Sequence, residues 1–128
     1  MDHKDLEEFI SKHGIEARVV GFSSSTQTVE QAELQLGIAK GRIAKSVLFI
    51  VKKSSRPLLV NEVEKHTGYR VGGVPPICHA SVIDTVVDAE VFRHDMVWCG
   101  GGDERHLLGI RPKDIERFQK ARVMEVCL

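Results

Sequence analysis

No apolar run in the sequence approaches the roughly 20 residues needed to span a bilayer, so no membrane partner is expected. Cysteine is sparse. Cys78, Cys99 and Cys127 are odd in number and widely spaced, with no Cys-x-x-Cys. That excludes a disulfide framework and a cysteine-built zinc cage, and it fits unpaired thiols in a reducing cytoplasm. The six histidines are scattered, with no His-Glu-x-x-His, so neither a metal nor another cofactor is expected. The one adjacent pair, Cys78-His79, reads as a buried thiol beside a turn histidine. There is no Gly-x-Ser-x-Gly elbow of the serine hydrolases. Net charge is also missing, because 18 basic residues offset 18 acidic ones. A nucleic acid would therefore have to be held locally rather than by an overall field. Met1 to Asp5 is polar and acidic, so no signal peptide is expected. No repeat, low-complexity stretch or linker divides the 128 residues, and one domain over 1–128 is expected.

What is present reads as an ordinary globular chain, 42% hydrophobic and 28% charged. Asp2 to His13 has Leu6, Phe9 and Ile10 at helical spacing, with Asp5 as cap and Gly14 as stop. Ala17 to Phe22 reads as a strand, followed by the polar loop Ser23 to Gln27. Thr28 is an N-cap for a helix carrying Ala32, Leu34 and Leu36 and ending at Gly37. A brief helix or turn over Ala39 to Ile43 leads to the apolar run Ala44 to Val51, which reads as a central strand. Lys52 to Pro57 is a basic turn, Leu58 to Val60 a short strand, and Asn61 the cap of a helix from Glu62 to His66. Ser81 to Asp84 and Thr85 to Val87 are β-like, with Asp84 ending a strand. Met96 to Cys99 and His106 to Ile110 are further strands. Pro112 opens a closing helix to Lys120, and Arg122 to Cys127 alternates as a terminal strand. Strands and helices mix without βαβ alternation, so the expected class is α+β with a mixed, strongly curved sheet.

Three features carry candidate chemistry. Between Thr67 and Pro76, Gly72 and Gly73 leave backbone N–H groups uncovered, and Pro75 and Pro76 stiffen the end of the loop. The donors of Gly72, Gly73 and Val74 could hold a carboxyl, ester or phosphate oxygen, or the stretch could be a tight turn. Lys45 stands at the opening of the apolar run, either as a solvated strand end or as a single charge aimed into a cleft. Gly100-Gly101-Gly102 is either a strand-end bulge or a place of close approach to a ligand.

The order of Thr28-Val29-Glu30-Gln31-Ala32, Lys45-Ser46-Val47-Leu48-Phe49, Thr67 to Pro76 and Gly100-Gly101-Gly102 resembles the YbaK / prolyl-tRNA-synthetase-associated editing domain family. The resemblance runs from about Ser24 to Val126. It implies a mixed sheet curled into a partly barrel-like form with helices outside. It implies hydrolysis of the ester joining a wrong amino acid to the 3′ end of transfer RNA, without a metal. Mischarged transfer RNA is the implied partner, with an aminoacyl-tRNA synthetase as a further one. Lys45 and the amides of Gly72, Gly73 and Val74 are the implied catalytic groups. Thr26, Pro75, Pro76, Asp84, Gly100, Gly101 and Gly102 make up the substrate-binding set. One departure stands out. Relatives carry more chain between the Lys-led strand and the stretch like Glu62 to Gly68, where this chain has only Arg56 to Asn61. Because the flanking stretches match the family so well, one step between consecutive Cα atoms from Ser54 to Asn61 is expected to exceed the usual roughly 3.8 Å by far.

Two other readings stay open beside the deacylase. The pocket could bind an amino acid or a transfer-RNA end without cleaving it, or the chain could be a structural subunit of a synthetase complex. Neutral net charge favours these two. The local cluster of Lys40, Arg42, Lys45, Lys52, Lys53 and Arg56 favours transfer-RNA contact.

Overall fold

The fold is described from a computed structural model for residues 1–38, 42–46, 49–50, 56–57 and 60–125, with backbone alone at 49–50, 56–57 and 60–62. The chain runs α1 (His3–His13), β1 (Arg18–Gly21), α2 (Val29–Leu36), β2 (Phe49–Ile50), β3 (Arg56–Pro57) and α3 (Val60–Thr67). It continues through β4 (Val86–Asp88), a 3₁₀ turn (Ala89–Arg93), β5 (Val97–Gly100), β6 (His106–Ile110), α4 (Pro112–Gln119) and β7 (Arg122–Met124).

The local signals explain most boundaries. Asp2, not Asp5, caps α1; Asp5 is the return half of a capping box, and Gly14 closes the helix in the left-handed conformation. Thr28 caps α2 through a reciprocal box with Gln31, and Gly37 ends it at φ 65°. α3 starts at Val60, so Asn61 lies inside the helix rather than capping it. Pro112 sits in the first turn of α4, where its missing N–H costs nothing. The expected strand over Ser81 to Val87 is confined to Val86–Asp88, and Asp84 precedes it. Val91 and Phe92 belong to the 3₁₀ turn.

Three sheets are described: an antiparallel one in the order β1-β6-β5, the pair β2-β3, and a parallel pair β4-β7. The class is mixed α+β as expected, and no closed barrel is shown among the described residues. The central strand of the largest described sheet is β6; of the run Ala44 to Val51, Ala44 to Ser46 are not strand, Phe49 and Ile50 are, and Val47, Leu48 and Val51 lie outside the described residues. β6 can be central because both its faces are covered. Val97, Cys99, Leu108 and Ile110 meet Leu6, Ile10 and Ile115 from α1 and α4. On the other face Trp98 and Leu107 pack with Ala32 of α2, flanked by Val20 and Leu36. Gly109 stands opposite Trp98, and a Cβ there would lie 3.0 Å from the indole, so the glycine makes room for the ring. Leu34 is 80% exposed on the outer side of α2. A third cluster, Val63, Tyr69 and Val74, packs α3 against the glycine–proline loop.

Cys78 and Cys99 are free thiols; Cys127 lies outside the described residues. The expectations for Ala39 to Lys40, Lys52 to Ser55 and Leu58-Leu59, and any chain break between Ser54 and Asn61, also fall outside them. No helix among the described residues is long and apolar enough to cross a membrane.

Candidate functional site

A cavity of about 210 Å³ opens where β5 ends, between the start of α2 and the glycine–proline loop. Its floor is apolar and comes from the sheet and the helices flanking it: Ala32, Val63, Cys99 and Leu107. Thr26, Gln27 and Thr28 line it from the start of α2, and Val71, Gly72 and Val74 from the glycine–proline loop, with Gln27 packed against Gly72. Gly100 and the stretch 43–46 complete the rim. The volume is below the roughly 300–1,000 Å³ of common ligand pockets, so it suits one small moiety of a larger molecule.

Lys45 arrives there because the preceding residues are pinned to β5. Ile43 bridges Trp98, and the Ala44 N–H donates to the Trp98 carbonyl at 2.8 Å. Lys45 is exposed, lies outside any strand, and is the sole charged residue among the described residues lining the cavity. Its backbone is thus held at the rim while its ammonium stays in water.

The glycine–proline loop is set by three contacts. Gly72 takes φ 94°, with the Gln27 side chain packed where a Cβ would go. The Gly73 N–H donates to Arg70 O at 3.1 Å, and its carbonyl accepts the Gly102 N–H at 2.8 Å. Gly73 is therefore buried within the turn and does not line the cavity, which corrects its expected place as an exposed donor. Gly72 and Val74 line the cavity. Pro75 is fully buried, and its carbonyl lies 2.7 Å from His79 Nε2, while Pro76 is half-buried. Neither proline lines the cavity.

The remaining expected residues separate. Thr26 lines the cavity and is tied down, its N–H and hydroxyl both donating to Glu104 O at 2.7 and 3.2 Å. Asp84 is exposed away from the cavity and pairs with Arg122 at 3.1 Å. Of the glycine run, Gly100 lines the cavity. Gly101 and Gly102 do not, because their bareness serves chain packing. A Cβ on Gly101 would meet the backbone of His106, and one on Gly102 the backbone of His3.

Sequence reasoning missed Gln27, Ser46, Val63, Cys99 and Leu107 as lining residues. Thr28 was legible only as a cap, and no spacing connects the others. Burial pushes the Cys99 thiol up to about 12, so it stays protonated and unreactive. No histidine or carboxylate lines the cavity among the described residues.

Known proteins share this fold. A curated relative, the uncharacterized protein YwhH of Bacillus subtilis (strain 168), is 29% identical over 153 residues, covering 99% of this chain and 98% of its own. That alignment is longer than the 128 residues here, so the relative has positions this chain lacks. The solved structure of a proposed trans-editing enzyme for prolyl-tRNA synthetase matches with TM-score 0.86 at 25% identity, covering 96% of this chain and 94% of that one. The structure of a hypothetical protein matches with TM-score 0.80 at 27% identity, covering 94% and 97%. The pattern of the aminoacyl-tRNA editing domain family matches residues 53–118, just over half of the chain, and on that ground the chain belongs to this family.

Proposed function

We propose that this chain is a trans-acting aminoacyl-tRNA deacylase, hydrolysing the ester between a wrongly attached amino acid and the 3′ end of transfer RNA in the cytoplasm. One observation carries the reading. In a member of the editing domain family, a small, mainly apolar cavity is lined by Lys45, the one cation among the described lining residues, and by Gly72 and Val74 of the glycine–proline loop. The likeness to a proposed trans-editing enzyme for prolyl-tRNA synthetase supports action on free mischarged transfer RNA, with a synthetase as a further partner.

The aminoacyl group enters the cavity, and the apolar floor receives its side chain. The Gly72 and Val74 amides face the ester oxygen and stabilise the charge it gains as the carbonyl becomes tetrahedral. Lys45 orients the carbonyl or the terminal phosphate from the rim. Water attacks the carbonyl carbon, the carbon–oxygen bond to the ribose breaks, and the ribose oxygen leaves as a hydroxyl. With no carboxylate or histidine lining the cavity among the described residues, the water's proton passes through solvent or the neighbouring ribose hydroxyl. Where the amino acid carries a thiol, that thiol can attack in place of water: a carbon–sulfur bond closes a cyclic thioester, the carbon–oxygen bond to the ribose breaks, and the thiol's proton ends on the ribose oxygen. Thr26 and Gly100 shape the opening and let the terminal nucleotide approach.

The test is release of free amino acid from a panel of mischarged transfer RNAs, by wild type and by Lys45→Ala. Wild type should release at least one amino acid, and the variant should lose about 10²-fold in rate, as removal of one oxyanion-stabilising group does. Undiminished turnover by a folded variant removes Lys45 from the mechanism. Salt-sensitive transfer-RNA binding without release replaces the deacylase by a binding module.

A further inference from the structure

Beside the cavity, at the start of α1 and of β6, three side chains form a group of their own. The rings of His3 and His106 stack with centroids 3.7 Å apart and planes 5° from parallel. Asp103 lies across their edges, with Oδ2 2.6 Å from His3 Nδ1 and Oδ1 2.6 Å from His106 Nδ1. All three side chains are between 23% and 31% exposed. An ionised carboxylate only accepts, so both imidazoles donate from Nδ1. These histidines hold Asp103 well enough, with the Arg105 N–H, to keep its carboxyl below the usual range against the opposing pull of burial.

The three residues lie close enough to share a metal ion, yet their stacking opposes it. A ligating nitrogen directs its lone pair within the ring plane. Two nearly parallel planes at this separation cannot both contain an ion bound at about 2.0–2.1 Å. The arrangement is that of a hydrogen-bonded clamp.

What the clamp grips gives it a role. Asp103 belongs to the loop between β5 and β6, and that loop is bonded to two of the segments that line the cavity. The Gly102 N–H bonds the Gly73 carbonyl, and the Asp103 backbone packs flat on Gly73. Glu104 O accepts both bonds from Thr26. Gly72 and Thr26 both line the cavity. Asp103 touches none of the lining space itself.

We propose that Asp103, clamped between His3 and His106, is a positioning residue that sets the spacing of the glycine–proline loop and the Thr26 loop across the cavity. The proposal rests on the deacylase reading for its catalytic consequence, and its structural half is tested without substrate.

The experiment uses the full chain and the variants Asp103→Ala, Asp103→Asn and His3→Ala, each checked for folding by circular dichroism and thermal melting. Amide hydrogen exchange reads Gly72 to Val74 and Thr26. Single-turnover deacylation and transfer-RNA binding are measured beside it. Asp103→Ala should speed exchange at both segments by about tenfold or more and slow deacylation by on the order of 10²-fold, the effect of misplacing reacting groups by about 1 Å. Its affinity for transfer RNA should stay within about twofold. Asp103→Asn should restore most of both, because an amide accepts from one imidazole and donates to the other. His3→Ala, which frees one arm, should fall between. Unchanged exchange at both segments in Asp103→Ala overturns the proposal. So does faster exchange with an unchanged rate, and so does an Asn variant as impaired as Ala. If wild type releases no amino acid from any transfer RNA, the deacylase reading falls, and exchange alone decides whether the clamp sets the loop spacing.

Discussion

Replacing Gly73 by alanine tests how rigidly the cavity wall is held. A Cβ built on Gly73 stands 2.6 Å from Asp103 Cα and 2.8 Å from its carbonyl carbon and nitrogen. Those are backbone atoms, and they cannot swing aside as a side-chain tip would. Comfortable carbon–carbon contact needs about 3.5–4.0 Å, so the two chain segments must part by roughly 1 Å. Overpacking of this kind costs about 1–3 kcal/mol. At about 4 °C per kcal/mol for a chain of this length, the melting temperature should fall by about 4–12 °C. The same movement stretches the 2.8 Å bond from Gly102 N–H to the Gly73 carbonyl and shifts the neighbouring Gly72 and Val74 amides. A misplacement of that size at a catalytic group costs about 10²-fold in rate. The assays are a thermal melt and single-turnover release of amino acid from mischarged transfer RNA. Gly73→Ala with wild-type melting temperature and wild-type rate would refute the packing argument and with it the fixed wall. A lowered melting temperature with an unchanged rate would separate the loop from the chemistry.

Three further outcomes are expected. Burial holds the His79 imidazole below its ordinary 6.5, while the Pro75 carbonyl opposes that shift; the neutral ring donates from Nε2 to Pro75 O and accepts at Nδ1 from Gln119. The unfolded chain therefore takes up this proton first as pH falls, so the stability from neutral His79 is whole above about 6.5 and is lost as pH drops through the lower folded value. Melting temperature should fall between pH 7.5 and 5 less steeply in His79→Gln than in wild type, and parallel curves would contradict the assignment. Cys99, fully buried with its thiol raised to about 12, should resist iodoacetamide in the native protein and react once denatured, as mass spectrometry of the labelled peptide would show. Thr28→Ala removes the hydroxyl that accepts the Gln31 N–H at 3.1 Å and should cost about 1 kcal/mol, read as a melting-temperature loss of about 4 °C. A change below about 1 °C would mean that tertiary contacts, not the cap, hold the start of α2.

Helix ends were legible because their signals are local. Thr28 with Gln31, Gly14, Gly37 and Pro112 each act through contacts within a turn of the chain, and each stands where its chemistry requires. His106–Ile110 was legible for a related reason: a short apolar run buried on both faces needs no alternation. Asp2 and Asp5 show the limit of such reading. Either carboxylate could cap α1 by type, and the reciprocal bond between Asp2 and Asp5 decided between them.

What the sequence by itself determined is the class of fold, most helix boundaries and, through four ordered motifs, the family. Those depend on side-chain type and near spacing. Only the tertiary structure decided which glycines face the cavity. Gly72 and Gly100 line it and Gly73, Gly101 and Gly102 do not, although at Gly100, as at those three, another backbone passes where a Cβ would stand. The residues involved are far apart in sequence, as with Gly102 against His3 and Gly73 against Asp103. The same holds for the His3–Asp103–His106 clamp and for Cys99 in the cavity floor. A missing Cβ looks identical in sequence whether it admits a ligand or a neighbouring strand, and only the folded path of the chain says which one occupies the space.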